Sequence, residues 1–301
     1  MSAAHIVFVG GTGRSGTHIL GRLLGTHSLW ADVPIEARFH CNKRGMPDLL
    51  EGRIGLSTYL EKLRGFWWHR VRVDGEPRGL YNLMTKTEFD AAAERFASDY
   101  HSDPVDACRR LFRDLLWRLA EEEHKPGLVE MSSHNVKEAP TLRRLFREAR
   151  FVHTVRDGRD AASSVTTKTW GPDRINAGID WWADRLRAID AGVRAEDDGT
   201  SYAVGSGLLR VIVFDDLVAD EREGTVAGLL DFLGAVEEPA LREFFENEMG
   251  AGAAHKGRWS HGLGAVGRAR VRRKYERTLE ALAAEGNHVA EPLRAAYERN
   301  G

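Results

Sequence analysis

Hydrophobic positions along the chain fall into short apolar runs that alternate with amphipathic stretches. Four runs have the length of buried strands: Ile6–Val9, Leu128–Met131, Arg150–Val155 and Leu208–Phe214. Between them, apolar residues recur at the spacing of a helix with one buried face. This alternation predicts an α/β protein with a P-loop-like, mainly parallel sheet that has helices on both faces. Such sheets bind their ligands at the carboxyl ends of the strands.

Two parts of the chain depart from this alternation. The segment 41–123 is irregular as far as Arg78 and turns helical from Thr87 onward, so we expect a loop and helical insertion beside the ligand site. Beyond Phe214 the chain is largely helical, apart from a glycine-rich stretch at Gly250–Gly267. Because the 301 residues contain no internal repeat, residues 1–301 are predicted to form one domain.

Composition and charge exclude several classes of function. The formal net charge of −2 does not suit a general binder of nucleic acid. No apolar run approaches the ~20 residues that span a bilayer, and the N-terminus lacks the basic region of a signal peptide. Cys41 and Cys108 are too few for a disulfide framework or a cysteine metal site. We therefore expect a cytoplasmic protein with reduced thiols and no membrane span.

The first strand runs directly into a glycine-rich loop, Gly10–Gly16, and then into a helix. Glycines let backbone N–H groups approach a phosphate closely, and the helix N-terminus adds a positive dipole. Arg14 puts a fixed cation inside the loop. The sequence therefore predicts a site for a phosphorylated or sulfated ligand.

The loop matches a nucleoside-triphosphate loop only in part. Gly11 and Gly16 have the required spacing. However, Thr17 stands at the position of the lysine, and His18 stands at the position of the hydroxyl that binds magnesium. Phosphoryl transfer from ATP would lose two of its charge-stabilising groups, which argues against this interpretation.

A dinucleotide loop fits this stretch better. Gly11, Gly13 and Gly16 spell G-x-G-x-x-G after a strand, and Asp32 or Glu36 follows about 20 residues later, where a ribose-binding acid belongs. The tyrosine and lysine pair of short-chain oxidoreductases, four residues apart, is absent from the sequence. An NAD(P)-dependent oxidoreductase or epimerase stays open as an alternative.

A second strand end carries another candidate phosphate site. Arg156 follows the run Arg150–Val155, and Ser164 lies eight residues later, about two helical turns on. A guanidinium fork and a hydroxyl at one helix end suit a second, separate phosphate. A dinucleotide ligand does not account for this motif.

Together the two motifs resemble those of sulfotransferases that use 3′-phosphoadenosine 5′-phosphosulfate (PAPS). In that family a GRSGT-type loop holds the 5′-phosphosulfate, and an arginine and a serine eight residues apart hold the 3′-phosphate. The likeness extends to the stretches FREARFVHTVRDGRD, VIVFDDLVAD and GLLDFLG, and to GRWSHG, which stands where the family closes a loop over the nucleotide. The motifs are most similar to those of the tyrosylprotein sulfotransferase branch and its bacterial relatives.

This resemblance implies which residues bind the nucleotide. The residues for the 5′-phosphosulfate would be Gly13, Arg14, Ser15, Gly16, Thr17 and His18; those for the 3′-phosphate would be Arg156 and Ser164, with Lys256 and Arg258 from the closing loop. PAPS would be the donor and 3′-phosphoadenosine 5′-phosphate (PAP) the product, and no metal would take part.

The resemblance also implies catalytic roles. Arg14 would neutralise the charge that builds up on the leaving phosphate. The base has two candidates: Glu36, in the stretch IEAR, resembles the base of the tyrosylprotein branch, and His134 resembles the histidine base of cytosolic sulfotransferases. An acceptor hydroxyl would attack in line and give its proton to this base.

One stretch departs from the family pattern. Many relatives have a lysine on the strand before this histidine, where this chain reads Glu130-Met131-Ser132-Ser133. Either a serine of this stretch, or a lysine from elsewhere (Lys168 or Lys256), would then assist the sulfate. A nucleotide-binding relative without catalytic activity therefore stays open as a third alternative.

The acceptor is expected to be a hydroxyl-bearing small molecule or natural product, because no secretory segment places the protein with exported polypeptides. The segment 41–123 would then form the acceptor side of the site. Nucleic acid is not expected as a partner, since the basic run Arg268–Arg277 has the spacing of a solvated helix face. The sequence predicts no oligomeric state.

Overall fold

Five strands form a single parallel sheet in a computed structural model, which describes residues 5–71, 75–195, 207–250, 252 and 255–300. The strands are β1 (Ile6–Gly11), β2 (Trp30–Asp32), β3 (Gly127–Glu130), β4 (Arg150–Val155) and β5 (Leu209–Val213), in the order β2-β3-β1-β4-β5. The predicted strands are therefore present. Residues 251, 253 and 254 of the glycine-rich stretch lie outside the described residues.

Helices surround this sheet. They are α1 (Thr17–Gly25), α2 (Met46–Leu50), α3 (Leu56–Lys62), α4 (Lys86–Asp99), α5 (Pro104–Phe112), α6 (Arg118–Glu122), α7 (Ala139–Leu145), α8 (Gly158–Val165), α9 (Ile175–Arg194), α10 (Arg222–Leu233), α11 (Pro239–Glu248), α12 (Ala265–Ala284) and α13 (Ala290–Asn300). Short π-helical segments span Leu63–Trp67, Arg113–Trp117 and Asp216–Asp220, and 3₁₀ turns span Leu80–Asn82 and Arg258–Ser260.

Alternate residues of β1 point to opposite faces of the sheet, as the pleat requires. Val7 and Val9 pack in the cluster of α1, α10 and α11. Phe8 packs on the other face with α4, α5 and α7. The mainly parallel sheet with helices on both faces is therefore confirmed. In the described part of the chain, no helix combines the length and apolarity needed to cross a membrane.

The segment 46–67 is helical, so the expectation of an irregular chain there is wrong. The helices α2 and α3 and the π-helical turn bury Met46, Leu49, Tyr59 and Trp67 in the same core cluster as Phe8. The helix α2 has five residues, too few to repeat the apolar spacing recognisably. The helix α3 runs without a break into the π-helical turn Leu63–Trp67, which shifts the spacing of the apolar residues partway along.

The strand order leaves a crevice between the carboxyl ends of β1 and β4. The chain leaves β1 through α1 toward β2, and it leaves β4 through α8 toward β5 on the opposite side. Open α/β sheets bind ligands where the connections diverge in this way. In dinucleotide-binding folds the second strand adjoins the first, whereas here β3 lies between β1 and β2. The dinucleotide alternative is therefore not favoured.

A buried carboxylate, Glu130, ties together the loops that follow β2 and β3. It accepts hydrogen bonds from the backbone N–H of Ala37 (3.2 Å), from the N–H and hydroxyl of Ser132 (2.9 and 2.7 Å), from the Asn135 amide, and from His40 Nε2 (3.0 Å). Burial alone would raise the pKa of Glu130, but His40 and the donated hydrogen bonds lower it to about 2. Burial also opposes the charge of His40, but Cys41 and Glu130 raise its pKa well above 6.5. The pair is therefore ionised.

The variant Glu130→Gln should lose about 3–5 kcal/mol of unfolding free energy at pH 7, because it leaves a buried imidazolium without its counter-charge. Urea denaturation measures this loss. The exposed Glu243→Gln on α11 is the control and should change stability little.

The ion pair of Glu130 also predicts how the free energy of unfolding changes with pH. The folded-state pKa of Glu130 lies near 2 and its ordinary value is 4.5, so the stabilisation is present above pH 4.5 and is lost as the pH falls toward 2. Glu130→Gln should therefore lose less stability than the wild type across this interval. Equal acid sensitivity of the two proteins would contradict the ion pair.

Candidate active site

The loop between β1 and α1 presents backbone N–H groups to the crevice. Gly13, Arg14 and Gly16 have positive φ angles of 83°, 63° and 90°. Gly16 is the N-cap of α1, and within the described chain no side chain caps the helix. The first-turn N–H groups of α1 have no acceptor within the helix, so they add to the positive potential of its N-terminus. This geometry suits an anion such as phosphate or sulfate.

Close contacts with neighbouring strands fix the shape of the loop. A Cβ on Gly16 would lie 2.3 Å from the ring of Phe214, and one on Gly11 would lie 2.4 Å from the carbonyl oxygen of Thr154. The Ser15 hydroxyl is buried, 3.2 Å from Thr154 Oγ1. The Ser15 side chain therefore anchors the loop to β4. Only the backbone N–H group of Ser15 is left to bind a ligand.

The two predicted phosphate motifs meet in the structure. Arg14 Nε donates a hydrogen bond of 2.9 Å to Ser164 Oγ on α8, across 150 residues of sequence. The ring of Trp181 borders the same loop, 4.0 Å from the position that a Cβ of Gly13 would take. The glycine loop and the β4–α8 motif therefore adjoin each other, as two motifs that bind one ligand would.

Arg156 lies at the carboxyl end of β4, as predicted. Its guanidinium is mostly buried, stands 5.8 Å from the centre of the Phe214 ring and donates to the carbonyl oxygen of His255 (3.3 Å). Asp160, one helical turn later, accepts from the N–H groups of Gly257 (2.8 Å) and Trp259 (2.9 Å). These contacts dock the glycine-rich loop against the arginine motif.

The two cations predicted from that loop have different surroundings. The Lys256 ammonium forms an ion pair with Asp220, 2.6 Å from Oδ2. Arg258 is exposed at the start of a 3₁₀ turn. Asp160 was missed by the sequence reasoning; it lies in the first turn of α8, and its Oδ2 is 4.0 Å from Nη2 of Arg156, which precedes the helix.

Glu36 and His134, the two candidate bases, lie together on the β3 side of the crevice. Glu36 accepts from the N–H of Ser133 (3.3 Å) and from the guanidinium of Arg38. The Ser133 hydroxyl is 3.4 Å from His134 Nδ1. His18, in the first turn of α1, interacts electrostatically with Glu36. The N-terminal turn of α1 therefore also borders Glu36.

Both candidate bases are deprotonated near neutral pH. Burial alone would raise the pKa of Glu36, but Arg38, His18 and Arg70 together bring it below 4.5. The pKa of His134 is lowered to about 4, first by burial and then by the charges of Arg38 and Arg185. Each group can thus accept a proton, and the pKa values alone do not choose between them.

The residues that were expected to replace the family lysine are already engaged. Ser132 donates to Glu130 and accepts from the backbone N–H of Arg38 (3.1 Å). Ser133 contacts Glu36 and His134. The cations that act on Glu36 are instead Arg38, His18 and Arg70. Arg78 acts on His18 and Arg70, and Arg185 acts on His134 and Arg38. Arg70, Arg78 and Arg185 belong to no motif, so no sequence signal identified them.

The crevice can therefore hold an anion and accept a proton within one site. The N–H groups of α1 and the guanidinium of Arg14 stabilise negative charge on the β1 and β4 side. A deprotonated carboxylate and a neutral imidazole stand on the β3 side. Among the described residues, no group of three or more His, Cys, Asp or Glu side chains is placed to hold a metal ion. This arrangement suits group transfer from an anionic donor to a hydroxyl.

Comparisons with known proteins bear on the family and the fold. A sequence profile described as "Sulfotransferase family" matches residues 7–239. The sulfotransferase domain of the olefin synthase from Synechococcus PCC 7002 is 18% identical, with a TM-score of 0.52 over 90% of this chain and 93% of that one. Sulfotransferase STF1 from Mycobacterium tuberculosis H37Rv is 17% identical, with a TM-score of 0.46 over 91% and 77%. Curated protein sequences gave no significant match. Because the profile covers most of the chain, this protein belongs to the sulfotransferase family.

Proposed function

We propose that this protein transfers the sulfuryl group of PAPS to an acceptor hydroxyl by in-line displacement and releases PAP. The hydrogen bond between Arg14 and Ser164 carries the proposal, because it joins the anion loop to the arginine and serine motif in one site. A ligand with two separated phosphate groups matches such a site better than a nucleoside triphosphate or a dinucleotide does.

The donor would bind with its two ends on different elements. The N–H groups of Gly13–His18 and the Arg14 guanidinium would hold the 5′-phosphosulfate. Arg156 and Ser164 would hold the 3′-phosphate, and Lys256 and Arg258 would close over it. The docking of the closing loop on Asp160 supports this assignment. The ion pair of Lys256 with Asp220 implies that this lysine rearranges when it contacts the nucleotide.

The chemical step would need one base and stabilisation of one leaving group. Glu36 would take the proton of the acceptor hydroxyl as the oxygen–sulfur bond forms, while the bond from sulfur to the bridging oxygen breaks. Arg14 and the loop N–H groups would stabilise the charge left on the phosphate. His134 is the second candidate for the base. The proposal needs no metal ion, because these cationic and N–H groups serve the leaving phosphate.

The acceptor would be a hydroxyl-bearing small molecule or natural product, bound against the segment 41–123. Arg70 and Arg78 of this segment act on Glu36 or His18, which supports its place on the acceptor side. A cytoplasmic location is also proposed, since Cys41 and Cys108 are free, buried thiols. A relative that binds nucleotide without catalysis is the remaining alternative; it would bind PAP and form no sulfated product.

Arg156→Ala should weaken PAP binding about ten- to a hundred-fold, because it removes a charged fork from the 3′-phosphate. Affinity for AMP, which lacks that phosphate, should change little. Isothermal titration calorimetry with both nucleotides measures the difference. Arg174→Ala is the matched control, since its side chain is 84% exposed and pairs only with Asp173 among the described residues. An equal loss for PAP and AMP would refute the assignment of the 3′-phosphate.

Glu36→Gln should lower kcat by about a hundred-fold or more and leave PAP affinity unchanged, because the amide cannot take the proton. Turnover is followed by mass spectrometry as sulfated products formed from PAPS and a small-molecule extract. His134→Gln is the companion variant and should stay active. If Glu36→Gln is active and His134→Gln is not, the base is His134. If the wild type binds PAP and forms no product, the non-catalytic alternative is correct.

A further inference from the structure

Guanidinium groups from three parts of the chain lie around Arg38, which acts electrostatically on both Arg70 and Arg185. Arg38 follows β2 and bonds Glu36 directly. The backbone N–H of Arg78 donates to the carbonyl oxygen of Arg70 (2.8 Å), next to an antiparallel bridge between Val71 and Pro77. Arg185 comes from α9 and stacks on Trp181, 4.3 Å from the ring centre. Glu76 pairs with Arg78 (2.7 Å), and Glu36 and Glu130 act on Arg70, so these carboxylates balance only part of the positive charge.

Three of these arginines keep buried donors without an acceptor among the described residues. The atoms are Arg38 Nε, Arg70 Nη1 and Arg185 Nε. A buried charged donor that lacks a partner costs more than an ordinary lost hydrogen bond. Native proteins leave few such groups, and three in one place indicate that a ligand supplies the acceptors.

The pKa shifts of these arginines also indicate that an anionic ligand belongs between them. The pKa of Arg70 is lowered to about 10, first by burial and then by the charge of Arg38, with Arg78 adding to the effect. The pKa of Arg185 is lowered by burial and by Arg38. Like charges therefore face one another across a partly dehydrated space, and an anion placed between them would relieve the repulsion.

The position of Arg70 identifies the acceptor as the source of this anion. Arg70 interacts with Arg38, Glu36, Arg78 and Glu130, all on the β2 and β3 side of the sheet. The proposed donor groups, Arg14, Arg156 and Ser164, lie in the β1 loop and after β4. A ligand that reaches Arg70 must therefore extend past Glu36, away from the nucleotide.

On the basis of the proposed function, we infer that the acceptor carries an anionic group beside the hydroxyl that is sulfated. Arg70 and Arg185, together with Arg38, bind this group, which is a carboxylate, a phosphate or a sulfate. Arg38 also holds Glu36, so the same fork aligns the base and the bound acceptor. Arg70 and Arg185 are thus residues that determine acceptor specificity.

Matched phenols test this assignment in protein saturated with PAP. The anionic probes are 4-hydroxyphenylacetate, 4-hydroxyphenyl phosphate and 4-hydroxybenzenesulfonate, and the neutral probe is 4-hydroxyphenylacetamide. Calorimetry should show at least one anion binding about ten-fold or more tighter than the amide. Arg70→Gln and Arg185→Gln should each remove this preference. Arg64→Gln, exposed in the same segment as Arg70, should keep it.

Three results would overturn the inference. The first is that no anionic probe binds the wild type better than the amide. The second is that both Arg70→Gln and Arg185→Gln keep the preference. The third is that Arg70→Gln weakens the binding of PAPS but not of PAP, which would assign the arginines to the sulfuryl group of the donor.

Failure of the proposed function gives a different result. In that case the wild type would bind neither PAPS nor PAP. The preference for anionic phenols would then be measured in the nucleotide-free protein. This measurement tests the anion site of Arg38, Arg70 and Arg185 independently of the donor.

Discussion

The ion pair between Glu130 and His40 fixes the half of the site that carries the candidate bases. Glu130 ends β3 and receives hydrogen bonds from Ala37 on one loop and from Ser132 and Asn135 on the other. Glu36 precedes Ala37, and His134 lies between Ser132 and Asn135. One carboxylate therefore sets the distance between the two candidate bases. An ion pair buried this deeply is a weak source of net stability, so its main effect here is to fix positions.

The charged groups of the site differ on the two sides of β1. On the β4 side, the N–H groups of α1 and the side chains of Arg14 and Arg156 produce a positive potential that suits an anionic donor. Toward β3, Glu36 lies among arginines that keep it ionised despite its burial. A base that is surrounded by cations is weaker as a proton acceptor, and the same cations attract an anionic acceptor to it. Basicity and acceptor binding are therefore coupled through Arg38.

Local patterns in the sequence sufficed for the sheet and for the two motifs. Four of the five strands fall in the mainly apolar runs of the sequence, whereas β2 has only three residues. The glycine loop and the arginine and serine pair are each short in sequence. The contact between Arg14 and Ser164 spans 150 residues, so only the folded sheet reveals it. The helix α2 is too short for its period to appear in the sequence, and the π-helical turn after α3 shifts the period of that helix. Arg70 and Arg185 lie in unrelated segments, and no spacing rule connects either of them to Glu36.

The glutamate at the end of β3 also explains how this chain manages without the lysine that many relatives carry on that strand. A lysine near Glu130 would compete with His40 for its charge and would disturb the loops that Glu130 holds. Positive charge is instead brought to Glu36 by Arg38, whose backbone N–H is itself bound to Ser132 in the Glu130 network. A guanidinium can donate to Glu36 through one nitrogen and to a ligand through another, whereas an ammonium is a single charged centre. Arg38 is therefore placed so that one residue could serve both the proposed base and the proposed acceptor anion.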